Sequence, residues 1–337
     1  MTKRTFAFLI LIFCLPGSAP VAQAVSFGPI QNIDLMMGRL EGACPDYQKQ
    51  SSWRKLKEML DQPVIEGLSP DFRMMQAFDA HDWVPLGKTP ACKIALTEFM
   101  LDSLTQYVNT MPDTSWLFSK AYRGLAYAYL ARAALKEDVD VDAYFSKAGG
   151  FAEIYLKTDK PDDENRAKSQ THYFIAHTYI NAAELTSNRK LARRYLESAL
   201  SLALAGAKQA KDNSLVATPA HYALRDMIEL EDKNSVAWRS AIERGIAVML
   251  PLQNASNSLS LEIAFLQLKL GRLSDGKKWL EIVETHPSSG YNFCSRISYD
   301  VDDLTPLIES DASWTKLYVQ RVCNPAARKK RDAQLRF

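Results

Sequence analysis

The stretch that decides the fold is SLSLEIAFLQLKLGRLSDGKKWLEIVETHP, residues 258–287. Its first half places Leu259, Ile263 and Leu266 three and four residues apart, which puts them on one face of a helix. Gly271 stands where that helix must end, because glycine adopts the left-handed conformation that closes many helices. A second amphipathic helix follows and ends before a proline. Since neither helix can bury its apolar face alone, the pattern predicts a hairpin that packs against similar hairpins, as in a helical solenoid.

The same helical period continues upstream of this hairpin. Helices are predicted over residues 92–108, 118–135, 143–156, 167–185, 190–210, 218–229 and 235–250. We expect Pro219 in the first turn of its helix, where the missing N–H is not needed for a hydrogen bond. Alternating runs of Val, Ile and Thr, which indicate strands, are almost absent. The pattern therefore predicts an all-α protein, with an irregular, mostly helical region over residues 25–115 and regular hairpins after it.

The hairpins resemble tetratricopeptide repeats, a family in which a small residue of the first helix packs against small residues of the second. The hairpin quoted above carries the best match, with Ala264, Gly276 and Val283 at these positions and Gly271 in the turn. Two further hairpins match, with Ala176, Tyr179, Ala192, Leu196 and Ala199 in one and Gly124, Tyr127, Ala143 and Ala148 in the other. Together these matches extend the resemblance over residues 116–290.

The resemblance implies a right-handed solenoid of antiparallel helix hairpins. Its spacing is wider than in the family, because Gly124 to Ala176 is 52 residues and Ala176 to Ala264 is 88, against a repeat of about 34. Either longer turns and a poorly matching hairpin at 218–250 account for this spacing, or the chain is a looser helical-repeat relative. Residues 299–323 resemble the tail that often follows such repeats in bacterial proteins, and we predict that residues 291–323 cap the solenoid.

Residues 1–24 have the features of a cleavable signal peptide. Two basic residues precede an apolar run of about ten residues, and residues 22–24 spell Ala-Gln-Ala, a signal-peptidase site. The run is too short for a spanning helix, which needs about 20 apolar residues. Cys14 follows a phenylalanine rather than the small residue of a lipidation signal. We therefore expect cleavage before Val25 and export, with the bacterial periplasm as the destination.

Four cysteines remain after cleavage, namely Cys44, Cys92, Cys294 and Cys323. An even number in an exported protein indicates disulfides, and the lack of a C-x-x-C spacing argues against a zinc site. Three connectivities are possible. Because the two ends of a solenoid lie far apart, we predict the bonds Cys44–Cys92 and Cys294–Cys323, each tying down one end of the chain.

The net charge of the chain does not indicate a class of binding partner. Signal cleavage would leave 39 basic and 39 acidic side chains, so nucleic acid and anionic membranes are not attracted in general. No other stretch is long and apolar enough to span a bilayer. Acidic groups at residues 138–142, 162–164 and 300–303 lack the ligand order of a calcium loop and are interpreted as solvated turns. Residues 324–337 form a basic tail that we expect to be solvated, with phosphate contacts as the alternative.

Sequence motifs for catalysis are missing. The chain has no P-loop, no G-x-G-x-x-G, no G-x-S-x-G and no H-E-x-x-H, so neither a cofactor nor a metal is predicted. His172 and His177 are five residues apart and point in different directions on a helix. If the chain were an enzyme, His81 with Asp79 and Asp82 in the irregular region would be its candidate residues.

The resemblance also implies a binding surface, because the first helix of each tetratricopeptide hairpin lines a concave groove. Carried over by position, this surface has a central stripe, Gln170, Tyr173, His177 and Asn181, whose spacings of three and four residues keep it on one face. The stripes on either side are Phe118, Ala121, Leu125 and Tyr129, and Ser258, Leu261, Phe265 and Lys269. Aromatic and amide side chains suit an extended peptide or a partner's helix. The alternative is that Tyr173 and His177 only pack against the next hairpin.

These observations favour a non-catalytic periplasmic binding or scaffold protein of the cell envelope, which holds a peptide or a partner protein in a concave helical groove. The predicted partner-binding residues are Tyr129, Gln170, Tyr173, His177, Asn181, Phe265 and Lys269. Two alternatives remain open: a small-molecule-binding component of an uptake system, and an envelope hydrolase with its site near His81.

Overall fold

The structure is a computed structural model, and every regular element that it describes is a helix. It describes residues 38–40, 42–45, 84, 87–110, 118–135, 139–159, 164–209, 214–255, 257–285 and 304–323. No β-strand occurs in these ranges, which confirms the all-α prediction for this part of the chain. The predicted signal peptide, the His81 group and the basic tail lie outside the described residues.

The helices follow one another with short connections. They are α1 (Pro90–Thr110), α2 (Phe118–Leu135), α3 (Val141–Thr158), α4 (Glu164–Ala183), α5 (Arg189–Gln209), α6 (Ser214–Glu229), α7 (Val236–Met249), α8 (Asn257–Lys269), α9 (Leu273–Thr285), α10 (Thr305–Ser310) and α11 (Ala312–Cys323). A 3₁₀ segment, Leu250–Ala255, joins α7 to α8.

Polar caps and one glycine set several of these boundaries. The Asp140 carboxylate accepts a hydrogen bond from the Ala143 N–H at 3.0 Å where α3 begins, and the Ser235 hydroxyl does the same for Trp238 where α7 begins. Beyond the end of α8, Gly271 has a φ of +75°. The next N–H, of Arg272, donates back into the last turn. The predicted helix end at Gly271 is therefore confirmed.

Helix α6 begins earlier than the sequence suggested. It starts at Ser214, so Pro219 lies inside the helix and not in its first turn. The prediction of a helix beginning at residue 218 is therefore wrong. An interior proline removes one helical hydrogen bond. Packing offsets that loss, because α6 contacts α4, α5, α7 and α8 and buries Ala217, Ala220 and Ala223 completely.

Helices that follow one another in the chain pack together. Each helix from α1 to α9 contacts the next one, and α5 contacts α6 more extensively than α7 does. Alternate helices touch as well, α2 with α4, α4 with α6 and α6 with α8. One apolar core runs from Leu40 to Leu266 through α1 to α8, and a second core joins α8 and α9 to α10 and α11.

The α8–α9 pair is closely packed at the positions that carry the family resemblance. Ala264 and Val283 are buried in the second core. A Cβ atom added to Gly276 would clash with the Leu268 side chain, whose Cγ would lie 2.7 Å away. A larger residue at position 276 would therefore require the Leu268 side chain or the two helices to shift.

The two ends of the chain are held differently. Cys44 and Cys92 form a buried disulfide with an S–S distance of 2.09 Å, which confirms the predicted N-terminal bond. Cys294 and the Cys323 side chain lie outside the described residues, so their bond stays a prediction. At the C-terminal end, Leu307 and Tyr318 pack in the second core, and the Tyr318 hydroxyl donates to the Leu280 carbonyl at 3.1 Å.

No helix within the described ranges combines the length and the apolar character that crossing a membrane requires.

Candidate functional site

The stripe predicted on α4 is present at a partly open surface. Gln170, Tyr173, His177 and Asn181 are all half-buried. The rings of Tyr173 and His177 lie 4.5 Å apart between centroids, and Tyr173 also meets Phe174 edge to face at 5.3 Å. Ring contacts of this kind hold aromatic side chains in fixed orientations.

A second helix contributes to the same surface. The Tyr222 ring of α6 meets His177 edge to face at 5.8 Å. The guanidinium of Arg225, one turn further along α6, lies 5.1 Å from the Tyr222 ring centroid, within the range of a cation–π contact. We name Tyr173, His177, Tyr222 and Arg225 the α4/α6 patch, since all four are half-buried and come from these two adjacent helices.

Carboxylates surround the arginine of the patch. Arg225 donates from Nε and Nη2 to the Asp226 carboxylate at 3.1 and 2.9 Å. Burial raises the pKa of Asp226, and the charges of Glu229 and Glu262 raise it further, whereas Arg225 opposes both. Burial also raises the pKa of Glu184, and so does the charge of Asp226. The charge of Arg225 thus acts on Asp226 and Glu184, and the charges of Glu229 and Glu262 act on Asp226 and Arg225, with Glu262 lying beside the His221 imidazole.

A polar pair lies beneath this surface. The imidazole Nε2 of His221 is 3.6 Å from a carboxylate oxygen of Glu262, and both side chains are almost fully buried. His221 also meets Tyr222 edge to face at 5.2 Å. The pair therefore links the patch to helix α8, which carries Glu262.

The stripe predicted on α2 does not join this surface. Ala121 and Leu125 are buried in the core. Tyr129 is half-buried but contacts the rings of Tyr144 and Phe151 on α3, at 5.3 and 5.5 Å. The Tyr129 ring thus packs between α2 and α3, and these contacts do not include Tyr173 or His177.

The stripe predicted on α8 needs a correction. Phe265 and Leu261 are completely buried in the second core, so neither lines an open groove. Lys269 is half-buried, and the Ser258 side chain lies outside the described residues. The reason is that α8 is covered on one side by α6 and α7 and on the other by α9 and α10.

Sequence reasoning missed the α6 half of the patch. Residues 218–250 were interpreted as a poorly matching hairpin, and no groove residue was assigned there. A usable signal was present, because Tyr222, Arg225 and Glu229 recur at spacings of three and four residues. Tyr173 and His177 on α4 share this periodicity, but it was the resemblance to tetratricopeptide repeats that implied their place in the groove.

The other candidate sites have structural roles or lie outside the described residues. Within the described part of the chain, no group of three or more His, Cys, Asp or Glu side chains is placed to hold a metal ion. In the first acidic turn, Asp140 caps α3 and Asp142 pairs with Arg194. The acidic group at residues 300–303 and the side chains of residues 162–164 are not among those described.

Comparisons of the chain with protein-family models, with characterised proteins and with solved structures give no significant match.

Proposed function

We propose that this chain is a non-catalytic binding or scaffold protein of the cell envelope, and that an extended segment of a peptide or partner protein binds along α4 and α6. The observation that carries the proposal is the α4/α6 patch, where side chains from two adjacent helices meet at a half-buried surface. Tyrosine and arginine often dominate the binding energy of protein interfaces. Three of the four patch residues are of these types.

In this proposal the helix pairs form a solenoid of the tetratricopeptide type. The contacts between successive first helices support that architecture, and ion pairs join the second helices in the same order. These are Asp142–Arg194 between α3 and α5, Glu197–Arg244 (3.7 Å) between α5 and α7, and Glu243–Arg272 (2.6 Å) between α7 and the turn before α9. First helices line the concave surface of such a solenoid, so the α4/α6 patch would lie on it.

The charge beside the patch indicates the kind of segment that binds. Glu184, Asp226, Glu229 and Glu262 outnumber the single guanidinium of Arg225. A cationic side chain of the partner would reduce that excess, and an adjacent aromatic or aliphatic side chain would pack on Tyr173 and Tyr222. The proposed partner segment therefore carries a lysine or arginine next to an apolar residue.

Export is part of the same proposal. It rests on the basic start, the short apolar run and the Ala-Gln-Ala site of residues 1–24, together with the disulfide Cys44–Cys92, since such bonds persist in oxidising compartments. N-terminal sequencing of the protein from a periplasmic fraction would give Val25 as the first residue.

The test is crosslinking in the periplasm of cells that express the full chain, followed by identification of the captured proteins. We expect one dominant partner, which is lost when Tyr173→Ala and His177→Ala are combined. The control is the pair Ile308→Ala and Leu317→Ala, which removes exposed apolar side chains elsewhere, on α10 and α11.

Each outcome of this experiment has a definite meaning. A partner that is lost with the patch pair and kept with the control pair supports the α4/α6 patch as the interface. If the partner is kept with both pairs of substitutions, the interface lies elsewhere, which contradicts the assigned site. If no partner is captured with the unmodified chain, the binding-protein proposal fails.

A further inference from the structure

A second surface feature lies away from the α4/α6 patch, where α1, α2 and α3 meet the N-terminal residues. It is a cleft of about 310 Å³, lined by Arg39, Glu98, Leu101, Asp102, Arg132 and Tyr144. That volume is at the lower end of the range for small-molecule sites. Because most of its lining side chains are charged, a ligand matched to this cleft is small and polar.

The floor of the cleft holds a buried guanidinium that is only partly satisfied. Arg132 is 6% exposed, and its Nη2 pairs with a Glu98 carboxylate oxygen at 2.7 Å. The other amino group, Nη1, is buried and has no hydrogen-bond partner among the described residues. An unsatisfied buried donor on a charged group is costly. A guanidinium held on one side by Glu98 can receive a second carboxylate on the other once a lining side chain moves aside, because Nη1 has less than 1 Å² of accessible surface.

The mouth of the cleft offers a carboxylate instead. Asp102 follows Glu98 by one turn of α1 and is exposed. Partial burial raises the pKa of Asp102, the charge of Glu98 raises it further, and only Arg39 opposes them. The local charge around Asp102 is therefore negative, and an ammonium group placed there would relieve it.

The cleft as a whole is electrically balanced. Two guanidinium groups, of Arg39 and Arg132, face two carboxylates, of Glu98 and Asp102. A ligand with a net charge would disturb this balance, whereas a neutral ligand with separated charges would match it. Leu101 and the Tyr144 ring supply the apolar part of the lining.

We propose that this cleft binds a small zwitterion of the α-amino-acid type, with its ammonium on Asp102 and its carboxylate on Arg132. This site is separate from the α4/α6 patch, and it does not depend on the proposed protein partner. The ring centroids of Tyr144 and Tyr129 lie 5.3 Å apart. In this proposal, Tyr144 contacts the bound amino acid at the rim of the cleft.

The first experiment is a thermal-shift screen of the mature protein with each standard amino acid at millimolar concentration, followed by calorimetric titration of the best one. The titration is repeated with two half-ligands, the amine that lacks the carboxylate and the acid that lacks the ammonium. We expect each half-ligand to bind at least about tenfold more weakly, because each loses one charge-assisted contact.

Two substitutions at the exposed mouth assign the site. Asp102→Asn is expected to weaken amino-acid binding by about tenfold, whereas Arg39→Gln removes a positive charge beside Asp102 and should leave the affinity unchanged or higher. Circular dichroism should show an unchanged fold for both variants. The control is Glu153→Gln, which removes an exposed carboxylate of α3 outside the cleft and should leave the affinity unchanged.

Three results would overturn the proposal. They are the absence of a shift with any amino acid, equal binding of a half-ligand and the complete amino acid, and an affinity unaffected by Asp102→Asn. None of them affects the proposed partner-binding function, because the α4/α6 patch shares no residue with the cleft.

Discussion

Helices α8 and α4 occupy equivalent places in the proposed solenoid, each as the first helix of a pair, yet they expose different surfaces. In α8 every residue from 259 to 268 is buried, including the polar Ser260, Glu262 and Gln267. In α4 a stripe from Gln170 to Asn181 remains half-buried. The place of a helix in its pair therefore does not determine which of its faces a partner can reach.

The difference comes from the helices that pack outside each pair. Helix α4 contacts α2, α3 and α6 besides its own partner α5, whereas α8 contacts α6, α7 and the C-terminal α10 besides α9. Leu307 of α10 and Tyr318 of α11 enter the same core as Phe265. The C-terminal helices thus cover the side of α8 that a repeat-by-repeat comparison would leave open.

The largest expected effect tests this contrast directly. Phe265→Ala should lower the free energy of unfolding by about 3–5 kcal/mol, because it opens a cavity in a packed core. Tyr173→Ala should lower it by only about 1–2 kcal/mol, because the ring is already half in water. Urea denaturation of the oxidised mature protein, followed by circular dichroism, measures both.

Leu317→Ala is the control for this pair, since the Leu317 side chain is 59% exposed and its loss should change stability little. Equal losses for Phe265→Ala and Tyr173→Ala would contradict the contrast. They would mean that Tyr173 is a core residue, and that the α4/α6 patch is ordinary packing between helices.

A smaller effect on stability tests the packing of α8 against α9. It compares two glycine-to-alanine substitutions, one expected to destabilise the protein and one expected to stabilise it. Gly276→Ala is expected to destabilise the protein by about 1–2 kcal/mol, because the new methyl group would overlap Leu268 of α8. Gly150→Ala in α3 should stabilise it by about 0.5–1 kcal/mol, because nothing lies within 4 Å and alanine favours the helix. Thermal unfolding of the two variants gives the comparison. A stabilising Gly276→Ala would show that α8 and α9 are not closely packed there.

Most of the helical framework follows from local signals in the sequence. Apolar spacing and Gly271 identify the helices and one of their ends, because these features act within a few residues. The start of α6 was missed for the opposite reason. Pro219 is a strong local signal for a helix start, and it is overridden by packing against several helices that are distant in the sequence.

The candidate site was predictable only in part. The resemblance to tetratricopeptide repeats implied Tyr173 and His177 as groove residues, but their contact with Tyr222 joins two helices and depends on how α4 and α6 pack. The same resemblance implied Phe265 as a groove residue, and its spacing fits a stripe. Spacing cannot reveal that α10 and α11 cover that stripe, since Leu307 and Tyr318 lie more than 40 positions beyond Phe265 in the sequence.

The smallest expected effect concerns the charge beside the patch. Because burial and the neighbouring carboxylates raise the pKa of Asp226 above its ordinary value of 3.8, the folded chain holds the Asp226 proton more tightly than the unfolded chain. Stability from this group is therefore present below pH 3.8 and is lost as the pH rises through the raised pKa. In urea denaturation, the stability of the unmodified protein relative to Asp226→Asn should therefore fall as the pH rises from 3.8 through the raised pKa. The control is Asp232→Asn, which removes one carboxylate at an exposed position. A relative stability that rises with pH would contradict this. If a partner binds as proposed, a basic side chain beside Asp226 would offset the same electrostatic cost, and binding should strengthen once Asp226 is ionised.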